Sequence, residues 1–110
     1  MGPFVMRAVR RLRLDPAFSR NRFYLALSSP EGRRALRIHR HLRSLERDLL
    51  AGMAATVAHE AHRVRLTLHG RQGRREAWLT RAEFGLLCDD PAVRAALGAA
   101  RPALAEVAAP

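Results

Sequence analysis

The longest amphipathic pattern in the chain begins after Ser29 and predicts one long central helix over residues 30–51. Ser29-Pro30-Glu31 supplies a hydroxyl for the N-cap, a proline at the first helical position and an acid at the positive end of the helix dipole. Gly52 is a suitable stop. The apolar positions recur three and four residues apart as a narrow seam, which consists of Ala35, Ile38, Leu42, Leu45 and Leu49.

Two interpretations of this seam remain open. The chain has only four Phe, one Tyr and one Trp, so its core is poor in large side chains, and a partner subunit would help to bury it. Coiled-coil spacing then makes the seam the interface of a two-fold homodimer. The other interpretation is that the seam packs on the chain's own hairpin, as helices of many α+β domains do.

The spacing of the apolar positions changes from a period of 3.6 residues to a period of two, which predicts a β-hairpin over residues 63–79. A glycine-flanked turn at 69–73 separates the two strands. The alternating apolar positions are Val64, Leu66 and Leu68 in the first strand and Ala77 and Leu79 in the second. Residues 53–62, which precede this hairpin, fit either a frayed helix end or a lead into a strand.

Shorter elements are predicted towards both ends. Residues 4–14 form an amphipathic helix that Asp15-Pro16 ends, with Val5, Ala8, Val9 and Leu12 on one face. Residues 16–28 fit either a strand, with Phe23, Leu25 and Leu27 alternating, or a second helix capped by Asp15-Pro16. Asp90-Pro91 starts a short helix to about residue 100. The chain is thus expected to be one small α+β domain over residues 1–103 with a loose Ala- and Pro-rich tail over 104–110.

Between the hairpin and that last helix, Thr80-Arg81-Ala82-Glu83 is a capping box that opens a short helix through Leu87. The segment 79–87 resembles response-regulator winged-helix domains, which have Leu-Thr-x-x-Glu-Phe-x-Leu-Leu where a strand leads into a helix. The resemblance covers nine residues and implies that local arrangement here. A recognition helix and a wing follow in that family, whereas Asp89 and Asp90 follow in this chain.

The charge of the chain is strongly positive and unevenly spread. Twenty Arg, no Lys and ten acidic residues give a net charge of +10 with the histidines neutral. Residues 1–50 hold twelve Arg against four acids and residues 51–83 hold six against three, whereas residues 84–110 carry a net −1. Because excess positive charge raises the affinity for polyanions, we expect an anion-binding surface within the first three quarters of the chain.

Ten arginines are candidates for this surface. On the long helix they run opposite the seam, beside His41, and are Arg33, Arg34, Arg37, Arg40 and Arg47. On the hairpin they are Arg63 and Arg65 on one strand face and Arg71, Arg74 and Arg75 around the tip. A basic helix and a basic β-ribbon both fit the major groove of DNA. Contacts between arginine and phosphate do not, however, distinguish one base sequence from another. The competing interpretation is a solvated helix face that Glu46 and Asp48 partly neutralise.

RNA is less well supported than DNA as the binding partner, because few aromatic residues are available for stacking on bases. The candidates are Phe23, Tyr24 and Trp78, and we expect these in the core or in an interface.

Residue patterns for catalysis or metal binding are largely missing. Without Lys there is no P-loop lysine or Schiff base, and the acids after Cys88 disfavour its thiolate form. His59-Glu60-Ala61-His62 is one residue too short for the metalloprotease motif, and its two histidines would share a face only on a helix. We therefore expect no enzyme activity, no metal and no cofactor.

The chain has no apolar run of membrane-spanning length, its first residues lack the apolar stretch of a secretory signal, and its single Cys excludes an internal disulfide framework. We expect a cytoplasmic protein with no membrane partner. Its expected function is that of a non-catalytic nucleic-acid-binding or nucleoprotein accessory module that contacts the phosphate backbone. The alternative is a small adaptor that docks a partner through the seam or the C-terminal helices, with the arginines facing an acidic protein surface.

Overall fold

The computed structural model describes residues 3–17, 29–71 and 73–98. These residues form four helices and a three-stranded antiparallel sheet, which confirms the α+β class. The elements are α1 (Pro3–Leu14), α2 (Pro30–Leu50), β1 (Ala54–His59), β2 (Val64–Gly70), β3 (Gly73–Leu79), α3 (Arg81–Leu87) and α4 (91–98). The predictions for residues 18–28 and for the tail 104–110 lie outside the described residues.

By its internal contacts the chain divides into two compact units, Met1–Ser44 and Leu45–Pro110. In the first unit, α1 is amphipathic as predicted. Its buried side chains are Val5, Val9 and Leu12, and its exposed arginines are Arg7, Arg10 and Arg11. After α1, Asp15 Oδ1 accepts a hydrogen bond from the backbone N–H of Ala17 at 3.0 Å, and residues 16–17 are helical. This contact is the one expected if Asp15 caps a second helix.

Both predicted ends of α2 are confirmed by hydrogen bonds. Ser29 Oγ accepts from the backbone N–H of Gly32 at 3.0 Å, as an N-cap does. Beyond the last turn, Gly52 has φ +94° and donates to the carbonyl of Leu49 at 3.1 Å, while Met53 donates to the carbonyl of Asp48 at 3.2 Å. These two bonds form a Schellman motif, which needs a left-handed residue and therefore favours glycine.

The buried face of α2 is wider than the predicted narrow seam. All five seam residues are at most 8% exposed in the single chain: Ala35, Ile38, Leu42, Leu45 and Leu49. Leu36 and His39, at 3% and 4% exposed, extend the buried face to the flank of the helix. The seam is thus buried in the single chain, and these residues lend no support to the homodimer.

In the second unit, the predicted hairpin is part of a three-stranded meander of order β1-β2-β3. Residues 54–59, for which a helix end and a strand were both open, form an edge strand that pairs from Ala54↔His69 to His59↔Val64. The hairpin partners run from Val64↔Leu79 to Gly70↔Gly73. One face of the sheet is buried through Ala55, Val57, Val64, Leu66, Leu68, Ala77 and Leu79. Alternation with period two therefore turns the polar side chains to the other face.

The capping box after β3 is present as predicted. Thr80 Oγ1 accepts from the backbone N–H of Glu83 at 3.1 Å, and Glu83 Oε1 accepts from the backbone N–H of Thr80 at 2.7 Å. A strand thus leads directly into a helix, which is the local arrangement that the winged-helix resemblance implied. Further along, α4 buries Val93 and Leu97, so its apolar side belongs to the core.

The end of α2 gives a test of the fold. An added Cβ at Gly52 would meet no atom within 4 Å, so Gly52→Ala is penalised only by the left-handed backbone, by about 1 kcal/mol in the free energy of unfolding. Gly85 is an exposed helical glycine in α3 with equally open space, and Gly85→Ala should instead stabilise the protein by about 0.5–1 kcal/mol. Urea unfolding of both variants measures the difference, and two effects of the same sign would contradict this explanation of Gly52.

Candidate nucleic-acid interface

The outward side of α2 carries a stripe of four exposed arginines, Arg33, Arg37, Arg40 and Arg47. At 1.5 Å per residue the stripe extends about 21 Å along the helix. Arg34 and Arg43 flank it and are also exposed, whereas His41 is half-buried. Arg43 was not among the predicted site residues, although its helical position between Arg40 and Arg47 could have identified it.

The acids of α2 neutralise this stripe only in part. Asp48 is bonded to Arg75 on β3, and Glu46 is half-buried. Within the described part of the chain, neither Arg37 nor Arg40 is paired with a carboxylate. Because their guanidinium groups are exposed, they can bind a phosphate without first breaking an internal ion pair.

The outer face of the sheet is the second arginine-bearing surface. Its cross-strand rows bring together Arg65 with Trp78 at one end and His69 with Arg74 at the other. Thr56, Thr67 and Glu76 form the row between them. A groove of about 270 Å³ lies over this face, and its lining includes Thr56 and Ala58 of β1 together with Arg65 and Arg74. This surface is therefore concave and carries two arginines.

Trp78 does not lie in the core, which was one of the two places expected for the aromatic residues, and an interface stays a prediction. Its side chain stands on the outer face and is 42% exposed in the single chain. The guanidinium carbon of Arg63 lies 3.7 Å from its ring centroid and that of Arg65 lies 5.6 Å away, both within the range of cation–π attraction. Arg63 also forms an ion pair with Glu60 at 3.2 Å. Phe23 and Tyr24 lie outside the described residues.

The structure separates two neighbouring arginines that the sequence grouped at the hairpin tip. Arg74 is exposed on the outer face, whereas Arg75 stands opposite Leu68 on the inner face. There Arg75 Nη1 donates to Asp48 Oδ2 at 2.7 Å, with both side chains partly buried. Arg75 therefore ties β3 to the end of α2, and we remove it from the candidate interface. Arg71 is exposed in the turn.

The histidine motif does not form a metal site. His59 ends β1, where its ring meets Phe84 edge-on at 5.6 Å, and His62 lies in the turn before β2. Among the described residues, no group of three or more His, Cys, Asp or Glu side chains is placed to hold a metal ion.

Comparison of the chain with models of known protein families, with curated proteins and with solved structures finds no match. No helix within the described ranges is both long enough and apolar enough to cross a bilayer.

The two neighbouring arginines provide a test of this geometry. Arg75→Gln removes a partly buried, charge-assisted hydrogen bond to Asp48 and should lower the free energy of unfolding by about 1 kcal/mol. Arg74→Gln, on the exposed outer face, should leave the stability within about 0.5 kcal/mol of the parent. Chemical denaturation of the two variants measures both values. Equal losses of stability in the two variants would contradict the placement of Arg75 on the inner face and Arg74 on the outer face of the sheet.

Proposed function

We propose that this chain is a non-catalytic nucleic-acid-binding module that contacts the phosphate backbone through arginines, with DNA favoured over RNA. The observation that carries the proposal is the stripe of exposed arginines on α2. Guanidinium groups form paired hydrogen bonds with phosphate oxygens, and each neutralised phosphate releases condensed counterions. A stripe about 21 Å long covers roughly six base-pair steps of a duplex at 3.4 Å each.

The outer face of the sheet supports the same proposal independently. A helix and a β-ribbon are the two elements that enter the major groove, and exposed arginines lie both on α2 and along the hairpin, where they are Arg63, Arg71 and Arg74. Arginines on phosphate provide affinity and orientation but no sequence discrimination. We therefore expect binding that depends strongly on salt and weakly on base sequence.

The adaptor hypothesis has less support because the apolar surfaces it requires are buried. The seam of α2 is buried in the single chain, and so are Val93 and Leu97 of α4. Among the described residues, the exposed large apolar side chains are Leu14, Leu50 and Trp78, which lie on three different elements. An adaptor would then have to bind through its arginines to an acidic surface of another protein. Such a protein is the competing candidate for the partner.

Salt titration tests the proposal on the stripe. Joint replacement of Arg33, Arg37 and Arg40 by Gln should weaken duplex DNA binding and reduce the slope of log K against log salt by up to about 0.9 for each phosphate that the variant no longer neutralises. The fold should survive because all three side chains are exposed, and circular dichroism checks this. Fluorescence anisotropy of a labelled duplex at several salt concentrations measures the slope.

The matched control is Arg94→Gln, an exposed arginine on α4 in the segment of negative net charge. It should leave both the affinity and the slope unchanged. If the parent protein shows no duplex binding at low salt, or a binding constant that does not vary with salt, the nucleic-acid proposal is overturned. Binding of an acidic polypeptide under the same conditions would then favour the adaptor.

A further inference from the structure

The outer face of the sheet differs from the arginine stripe in one respect that affects its ligand. The stripe on α2 offers guanidinium groups alone, whereas the sheet face combines guanidinium groups with an exposed indole and several neutral hydrogen-bonding groups. Arg65 and Arg74 supply the charge at opposite ends of the face, and Trp78 supplies the aromatic surface beside Arg65. A ligand complementary to all three groups carries negative charge and flat rings together.

The rows of the sheet give the dimensions of this surface. Trp78 and Arg74 stand four residues apart on β3, which at 3.4 Å per residue is about 14 Å. A single nucleic-acid strand with stacked bases advances about 3.4 Å per nucleotide, so the face is about four nucleotides long. The groove of about 270 Å³ on this face is lined by Arg65 and Arg74 and, between them, by Thr56, Thr67 and Glu76.

The middle of the face can form hydrogen bonds with the edges of bases. Thr56 and Thr67 stand side by side across the β1–β2 pair, and both are half-buried. Glu76 continues this row on β3, and His69 stands one row further along. Hydroxyl, imidazole and carboxylate groups donate to or accept from the Watson–Crick edges, which are accessible only in an unpaired strand.

Charge and stacking both favour a single strand over another occupant. On the strands of the described outer face, Glu76 is the one acid against Arg65 and Arg74, while Arg63 beside Trp78 is paired with Glu60. The contact between Arg63 and the indole adds a cation to the ring, and bases stack on both indole rings and guanidinium planes. An acidic polypeptide would satisfy the arginines but would bring no flat ring to stack against the pair formed by Trp78 and the Arg63 guanidinium.

We propose that the outer face of the sheet binds unpaired nucleotides of single-stranded nucleic acid, with a base stacked on Trp78 and phosphates held by Arg65 and Arg74. This inference rests on the proposed function, in which the arginines of both surfaces contact phosphates, and it adds unpaired bases as a ligand of the sheet face. Single-stranded DNA and RNA share the required chemistry, and they differ here only in the 2′-hydroxyl.

Trp78 is the only tryptophan of the chain, so its fluorescence reports directly on this face. Titration with a short thymidine or uridine oligonucleotide at low salt should quench or shift the emission, whereas heparin, a polyanion without bases, should bind with little change. Trp78→Ala should weaken single-strand binding about tenfold, as measured by anisotropy of a labelled oligonucleotide, and should weaken duplex binding much less, because paired bases are not free to stack on the ring. Trp78→Phe should restore part of the affinity because it retains an aromatic ring.

The outcomes separate this inference from the proposed function. If neither single strand nor duplex binds at low salt, the proposed function fails and this inference fails with it. If duplex binds with the expected salt dependence while single strands leave the emission unchanged and bind Trp78→Ala as tightly as the parent, only this inference is overturned. Should Trp78→Ala fail to fold, the parent's emission and the affinity of Trp78→Phe decide the question. Quenching by both DNA and RNA supports the inference. A stronger response to one of them shows which of the two the face prefers.

Discussion

The arrangement of the second unit depends on the side-chain alternation of its central strand, β2. Val64, Leu66 and Leu68 are at most 1% exposed, and in a strand their burial requires the residues between them to point away from the core. A slip of one residue would bury Arg65 and expose three large apolar side chains, so the register is strongly determined. Pairing then aligns β1 and β3 with β2, which places Trp78 and Arg74 on the same outer face as Arg65.

The elements that sequence analysis predicted correctly are those defined by local chemistry. Ser29, Gly52 and the Thr80–Glu83 capping box act through hydrogen bonds to backbone groups within a few residues, so their effect is evident from the sequence. The alternation of the hairpin strands is local in the same sense. Most of the helix positions of the candidate interface could therefore be predicted, because burial of the opposite face leaves the arginine stripe exposed.

The errors concern contacts between residues that are distant in sequence. Arg75 was grouped with Arg74 because its partner Asp48 is 27 positions away on another element. β1 remained ambiguous because it is an edge strand with few large apolar residues, and its pairing with β2 identifies it. Trp78 was expected in the core or in an interface, and strand alternation excludes the core by placing it on the outer face, beside Arg63 and Arg65. The spacing of the α2 seam does not reveal whether its own chain covers it.

The central claim is that the exposed arginines of α2, together with Arg65 and Arg74 on the outer face of the sheet, contact nucleic acid, whereas Arg75 and Arg94 do not. Hydrogen–nitrogen correlation spectra of the arginine side chains, recorded as a short oligonucleotide is added, test this claim residue by residue. We predict shifts for Arg37 and Arg40 on α2 and for Arg65 and Arg74 on the sheet. Unchanged resonances are expected for Arg75, which is bonded to Asp48, and for Arg94 on α4. Shifts confined to Arg94, or equal small shifts at every arginine, would contradict the claim.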